Sequence, residues 1–183
     1  MSWLIAAIDP GDRWCGLAVF RLNREAEEMH QCDCLDCSRK GRVRLLHAQT
    51  LAPPEAYDWL EKNARTLHAL VLERYQLYPW LAREQGFSEF PTAQCVGICS
   101  YLAGKCDVPV YKQDAKGNLK EGRAQARSIG FAMKDRRLGS GRFAYYGPDF
   151  ARLPGKPHRR DAAAHGVRWA VLDEHSPLLR RPA

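Results

Sequence analysis

The chain has 183 residues, a formal net charge of +7 and 45% hydrophobic residues. This length fits a single domain, and the hydrophobic content is sufficient for a buried core, which argues against a disordered or fibrous protein. No apolar run approaches the roughly 18 to 20 residues of a membrane-spanning helix. The apolar run at residues 3–8 is too short for the core of a signal peptide. We therefore expect no membrane association.

The charge is distributed unevenly along the chain. Residues 1–104 carry a net charge of −2, residues 105–168 carry +9, and the rest of the chain is balanced. A strongly basic segment joined to a slightly acidic one indicates a polyanionic partner such as a nucleic acid. A basic surface that has no specific partner explains the composition equally well.

The first half of the chain predicts a β-rich unit. Four apolar runs predict strands, at residues 3–9, 16–22, 43–49 and 70–73. The turn sequence Asp9-Pro10-Gly11-Asp12 joins the first two strands into a hairpin. Pro53 and Pro54 precede Glu55, where a helix is expected to begin. The first and fourth strands both end in a carboxylate, Asp9 and Glu73.

The second half predicts helices at residues 92–103, 119–133 and 158–173, with a short strand at 108–111. The second of these helices carries basic residues on one side, at spacings of three, four and seven: Lys120, Arg123, Arg127 and Lys134. Residues 135–157 are rich in glycine, proline and arginine and predict a loop. Hairpins followed by strand–helix units predict an α/β fold with a mixed sheet and helices packed against it.

Six of the seven cysteines form two groups, and the seventh, Cys15, is expected in the first turn or strand. Without an export signal, an odd number of cysteines indicates free thiols in a reducing compartment. Cys95, Cys99 and Cys106 lie in an apolar stretch and are expected to be buried. A second group crowds one imidazole and three thiols into eight positions: His30, Cys32, Cys34 and Cys37. This ligand set suits a structural zinc ion, although a solvent-exposed loop with incidental thiols is the alternative.

Three carboxylates stand at the ends of predicted elements: Asp9, Glu73 and Asp161. Asp9 and Glu73 meet if their strands are neighbours, and His158 lies three residues before Asp161 on one helix face. Clustered carboxylates need cations, and their hard oxygens select Mg²⁺ or Mn²⁺. Two such ions about 4 Å apart can activate a water and stabilise the leaving oxygen of a phosphodiester, so the cluster indicates a nuclease. Each acid, taken singly, is equally compatible with a structural role.

Three ordered motifs resemble those of the RuvC-like Holliday-junction resolvases: Ile8-Asp9-Pro10-Gly11, Leu70-Val71-Leu72-Glu73 and His158-Arg159-Arg160-Asp161-Ala162-Ala163-Ala164-His165. The resemblance covers residues 4 to about 172. It implies an RNase H-like fold, with a mixed five-stranded sheet flanked by helices. It also implies a single nuclease domain at residues 1–175 with a Cys-rich insertion at about 24–42, followed by a tail at 176–183.

The resemblance further implies a function. Two Mg²⁺ or Mn²⁺ ions would be bound by Asp9, Glu73, His158 and Asp161. The protein would act as a homodimer that resolves four-way DNA junctions in the cytoplasm of a bacterium or a phage-infected host. Candidate DNA contacts are Lys112, Lys116, Lys120, Arg123, Tyr75 and Tyr78. The two tyrosines stand near the position of an aromatic residue in the family, and packing against the fold is the alternative role for both.

Two other functions fit the same residues. One is a less specific RNase H-like nuclease that cuts flaps, forks or other branched DNA. The other is a non-catalytic DNA-binding or virion-associated module of the same fold, which the retention of all three acids in order disfavours. An actin-like ATPase also begins with an Asp-Gly turn, but it needs two such domains, and 183 residues are too few.

The zinc hypothesis makes a direct prediction. Protein purified without chelator should carry about one zinc ion per chain, because a tetrahedral site takes four nitrogen or sulfur ligands. Metal analysis by mass spectrometry measures this content. Zinc-free protein whose loop thiols are freely alkylated would exclude the site.

Overall fold

The structure is a computed structural model that describes residues 2–23, 43–75, 91–128, 132–134, 143–145 and 157–178. The predicted zinc ligands and Tyr78 lie outside the described residues. The seven strands are β1 (Ser2–Asp9), β2 (Cys15–Asn23), β3 (Val43–Leu51), β4 (Ala69–Arg74), β5 (Val110–Asp114), β6 (Ala132–Lys134) and β7 (Phe143–Tyr145). The helices are α1 (Pro53–Asn63), α2 (Pro91–Gly104), α3 (Ala115–Ser128) and α4 (Pro157–Leu172), and a 3₁₀ turn spans Ala64–Thr66.

Five strands form one mixed sheet in the order β3-β2-β1-β4-β5. The β1–β2 and β2–β3 pairs are antiparallel, whereas β4 runs parallel to both β1 and β5. The predicted α/β fold with a mixed five-stranded sheet is therefore confirmed. Because Ile8 of β1 is paired with Leu72 of β4, the next residues along the two strands, Asp9 and Glu73, reach the same edge of the sheet.

The sheet buries a different layer on each face. Ile5, Ala7 and Val71 pack with Phe20 and α4 on one face. The intervening residues of the same strands pack with α1 and α2 on the other face. This division follows from strand geometry, since successive side chains point to opposite faces. Within the described residues, no helix is both long and apolar enough to cross a membrane.

Several predicted boundaries of strands and helices in the second half of the chain were wrong. β5 extends to Asp114 and continues directly into α3 at Ala115, so the strand ends three residues later than predicted and the helix begins four residues earlier. Because α3 ends at Ser128, Lys134 lies in β6 rather than on the basic helix. β7 also interrupts the predicted loop at 135–157, because Phe143–Tyr145 pairs with β6.

The predicted burial of the cysteines is confirmed in part. Cys95 and Cys99 on α2 are fully buried in the core shared with α1. Cys106 is only half-buried, because it follows the end of α2 and packs against the rim of that core. The Sγ atoms of Cys15 and Cys95 lie 3.5 Å apart.

Glycine allows α4 to approach the sheet closely. A Cβ atom on Gly16 of β2 would lie 2.0 Å from the carbonyl oxygen of His158, at the start of α4. A Cβ atom on Gly122 of α3 would lie 2.2 Å from the carbonyl oxygen of Ala164. Both obstacles are backbone atoms, which cannot rotate away. The position of α4 therefore depends on the absence of a side chain at these two positions.

Substitution at Gly16 tests this dependence. We expect Gly16→Ala to lower the free energy of unfolding by about 1–3 kcal/mol, the usual cost of overpacking a core. Gly97→Ala is the matched control, because a Cβ atom there meets nothing within 4 Å. It should stabilise α2 by about 0.5–1 kcal/mol through helix propensity. Urea denaturation measures both free energies of unfolding. An equal change in the two variants would contradict the conclusion that α4 needs a glycine at position 16.

Candidate active site

The candidate site lies where the carboxyl ends of β1, β4 and β5 meet α4. Asp9, Glu73 and Gln113 each occupy the sheet face that α4 covers, because each lies two residues after a core residue on that face. From α4, His158 and Asp161 project toward the same edge, and His165 follows Asp161 by one turn. The fold thus brings together all four residues predicted as metal ligands.

Asp9 is bonded to His158. The Nδ1 atom of His158 lies 2.9 Å from Oδ2 of Asp9, whose residue is only 6% exposed. Burial raises the pKa of Asp9 to about 6, with further contributions from the charges of Glu73 and Asp161, while the hydrogen bond to His158 opposes the rise. In turn, the bond to Asp9 raises the pKa of His158. The three acids therefore act on one another electrostatically.

Glu73 is bonded to a second histidine, His165, whose side chain is completely buried. The Nε2–H group of His165 donates to Oε2 of Glu73 over 2.8 Å. The Nδ1 atom of His165 lies 2.9 Å from the side-chain amide of Gln113 on β5. Because both ring nitrogens of His165 have partners, the orientation of the imidazole is fixed. The fixed ring then holds the Glu73 carboxylate in position.

Asp161 is paired with Arg123 of α3, whose Nη2 group donates to Oδ1 of Asp161. The Asp161 side chain is 18% exposed and that of Arg123 is 42% exposed, so the pair lies at the rim of the site. Each of the three carboxylates is therefore bonded to one basic side chain from α3 or α4. A neighbouring ion pair, between Arg168 and Glu121, joins the same two helices at 2.9 Å.

The donor set fits a hard divalent cation. Carboxylate oxygens match the preferences of Mg²⁺ and Mn²⁺, whereas the imidazole nitrogen of His158 is a softer ligand. Burial is the main cause of the raised pKa of Asp9, and the negative charges of Glu73 and Asp161 add to it. Within the described ranges, however, no group of three or more ligand side chains is arranged to hold an ion. The acids are each turned to their own base, so metal binding requires their side chains to rearrange.

The predicted DNA contacts fall at different distances from this edge. Lys120 is exposed on α3, one turn before Arg123. Lys116 also belongs to α3. Lys112 alternates with Gln113 along β5, so it lies on the opposite face of the sheet from the carboxylates. Tyr75 is half-buried and packs against the core of α1 and α2, as the packing alternative expects, and its contact with DNA stays a prediction.

Two residues of the site were missed from the sequence. Gln113 was missed because the fifth strand was expected to end at Tyr111, which left Gln113 outside the sheet. His165 carries a signal that could have found it, since it lies four residues after Asp161 and seven after His158, on the same helix face. A buried histidine at that spacing indicates a partner within the site.

The chain shares its fold with solved structures of RuvC. Two solved structures of Thermus thermophilus RuvC, one in complex with a Holliday junction substrate, superpose with TM-scores of 0.52 and 0.53. Each has 19% sequence identity, and the alignments cover 92% of this chain and 93% of RuvC. The yeast mitochondrial Holliday junction resolvase Ydc2 superposes with a TM-score of 0.44 and 11% identity, over 90% of this chain and 76% of Ydc2. The sequence matches no protein-family model and no curated protein.

The Asp9–His158 pair predicts a pH dependence of the metal-free protein. Because the folded pKa of Asp9 lies above its ordinary value of 3.8, the folded state binds protons more readily, and stability falls as the pH rises from about 4 to 6. The raised pKa of His158 extends this fall to higher pH, until the imidazole has lost its proton.

Denaturation in EDTA across this pH range measures the effect. Asp9→Asn should remove a fall of the order of 1–3 kcal/mol, because it eliminates the buried carboxylate and the anionic partner of His158. Asp58→Asn, at an exposed position on α1, should keep the parental slope. A parental slope in Asp9→Asn would contradict the assignment.

Proposed function

We propose that this chain is a divalent-metal-dependent endonuclease that resolves four-way DNA junctions. The observation that carries the proposal is the convergence of Asp9, Glu73, Asp161 and His158 at one sheet edge, beside the basic helix α3. Three acids from β1, β4 and α4 meeting with an imidazole are not needed to stabilise this fold, and their mutual repulsion is costly without a cation. A catalytic metal site explains why the chain keeps three acids close together despite their electrostatic repulsion.

Asp9, Glu73, His158 and Asp161 are the proposed ligands of two Mg²⁺ or Mn²⁺ ions. When bound, such ions supply an activated water and stabilise the leaving oxygen of the phosphodiester. The residues of the chain have separate tasks: Asp9 and Glu73 provide oxygen ligands from the rigid sheet, and His165 with Gln113 keeps Glu73 in position. Cleavage would leave a 5′-phosphate and a 3′-hydroxyl, as in the family that the sequence resembles.

The extent of the structural match supports four-way junctions as the substrate. The similarity to T. thermophilus RuvC, which was solved with a Holliday junction substrate, extends over 92% of this chain. The net charge of +9 over residues 105–168 supports binding to the DNA backbone. Lys120, Lys116 and Arg123 of α3 are the proposed backbone contacts, and Lys112 is a more distant one.

We propose a homodimer, since paired strand cleavage across a four-way junction needs two sites. Helix α2 offers a surface that fits this role. It carries no charged residue from Pro91 to Gly104, and it exposes Ile98 and Tyr101, whose exposed fractions are 38% and 66%. A helix face of this kind is suited to contact a second protein surface. We further propose that the protein acts in the cytoplasm as a single domain, with structural zinc in the Cys-rich segment.

Cleavage of a panel of synthetic DNAs tests the proposal. With Mg²⁺ or Mn²⁺, the protein should make paired, symmetric nicks in four-way junctions and leave linear duplexes intact. Equal cutting of flaps and forks would instead support the less specific branched-DNA nuclease. Junction binding with no cleavage of any substrate would support the non-catalytic module.

Conservative variants test the ligands. Asp9→Asn and Glu73→Gln should abolish junction cleavage, because an amide cannot replace an anionic ligand, and both should retain junction binding. Asp58→Asn and Glu61→Gln are matched controls, since both acids are exposed on α1, against the opposite face of the sheet. Gel assays of cleavage and fluorescence anisotropy of binding provide the two readouts. Cleavage at the parental rate by either site variant would overturn the assignment.

A further inference from the structure

The Arg123–Asp161 pair differs from the other two acid–base pairs of the site. His158 and His165 belong to α4, the same helix as Asp161, whereas Arg123 reaches in from α3. A guanidinium also keeps its charge at all relevant pH values, whereas an imidazole does not. Arg123 is therefore a permanent cation bonded to a carboxylate that is a proposed metal ligand.

We propose that Arg123 is an exchangeable counter-ion that competes with the metal for Asp161. The Nη2 group of Arg123 is bonded to Oδ1 of Asp161, so the positive charge of the guanidinium competes with a metal ion for that carboxylate. In the metal-free protein, Arg123 offsets part of the repulsion among the three acids. This inference rests on the proposed function, because it takes Asp161 as a metal ligand.

The position of Arg123 allows this exchange. Its side chain is 42% exposed at the rim of the site, so it can withdraw from Asp161 without disturbing the core. It also lies one turn after Lys120 on the basic helix, where a withdrawn guanidinium meets solvent or a phosphate. Once Asp161 has gained another cation, the guanidinium of Arg123 can turn toward the DNA backbone. Metal binding and DNA binding would then favour each other.

The simpler alternative is that Arg123 only fastens α3 to α4. The two helices are already joined by the Arg168–Glu121 ion pair and by the close backbone contact at Gly122. A fastening role predicts that loss of either ion pair has the same consequence for the site. An exchange role predicts that only the loss of Arg123 changes the metal affinity.

Titration of the DNA-free protein with Mn²⁺, followed by electron paramagnetic resonance, separates these roles. Arg123→Gln should bind Mn²⁺ about 2- to 5-fold more tightly than the parental protein, the range expected from losing a partly exposed competing pair. Arg123→Lys, which keeps the positive charge, should stay near the parental affinity. Arg168→Gln removes the neighbouring ion pair and should leave the affinity unchanged.

Thermal unfolding in EDTA gives a second readout. Arg123→Gln should lower Tm more than Arg168→Gln does, because the three acids lose a counter-ion, and saturating Mn²⁺ should remove this difference. Unchanged or weaker Mn²⁺ binding by Arg123→Gln overturns the inference, as does an equal effect of Arg168→Gln. If the parental protein binds Mn²⁺ but cuts no junction, the proposed function is overturned. The ratio of the Mn²⁺ affinities of Arg123→Gln and the parental protein then still decides this inference. Absence of Mn²⁺ binding overturns both.

Discussion

Electrostatic repulsion among three carboxylates is the constraint on which the site depends. Asp9, Glu73 and Asp161 come from three elements. Burial raises the pKa of Asp9, and the charges of the other two acids add to the rise. The structure offsets the repulsion with one base for each acid, and all three bases come from α3 or α4. Helix α4 must therefore lie close to the sheet, which explains the glycine under its first turn and the alanines that line its buried face. Both the packing of the core and the pairing of acids with bases at the sheet edge therefore require α4 to lie close to the sheet.

The two faces of the sheet separate two kinds of ligand. The face under α4 ends in hard carboxylate oxygens, whereas the face under α1 and α2 carries the buried thiols of Cys15, Cys95 and Cys99. The hydrogen bond with Cys15 lowers the pKa of Cys95, but the hydrogen bond with Cys99 and burial outweigh it and raise this pKa to about 12, so the Cys95 thiol stays protonated and serves as a packing group. The sheet thus keeps soft ligands away from a site suited to hard cations. Alternation along β2 places Cys15 on this face, and helix α2, which packs there, contributes Cys95 and Cys99.

Local sequence patterns predicted much of the fold and part of the site. The sequence predicted the positions of Asp9 and Glu73 because each residue ends a short apolar run that forms a strand. These two strands, β1 and β4, are neighbours in the sheet, so the two carboxylates meet at one edge. Gln113 could not be placed, because β5 passes into α3 without a loop and no turn residue marks the boundary. The bond between Arg123 and Asp161 depends on how two helices cross, which neither sequence segment encodes alone. The sheet face on which Lys112 lies could likewise be assigned only after the structure showed that β5 extends to Asp114.

The bond between His158 and Asp9 joins residues that are 149 positions apart in the chain. Closing so long a loop is entropically unfavourable until the intervening sheet has formed, so the pair can assemble only late in folding. During synthesis on the ribosome, Asp9 and Glu73 emerge long before either histidine that pairs with them. An incomplete chain therefore holds acids without bases and cannot form the proposed site. Any nuclease activity would then appear only when the fold is complete.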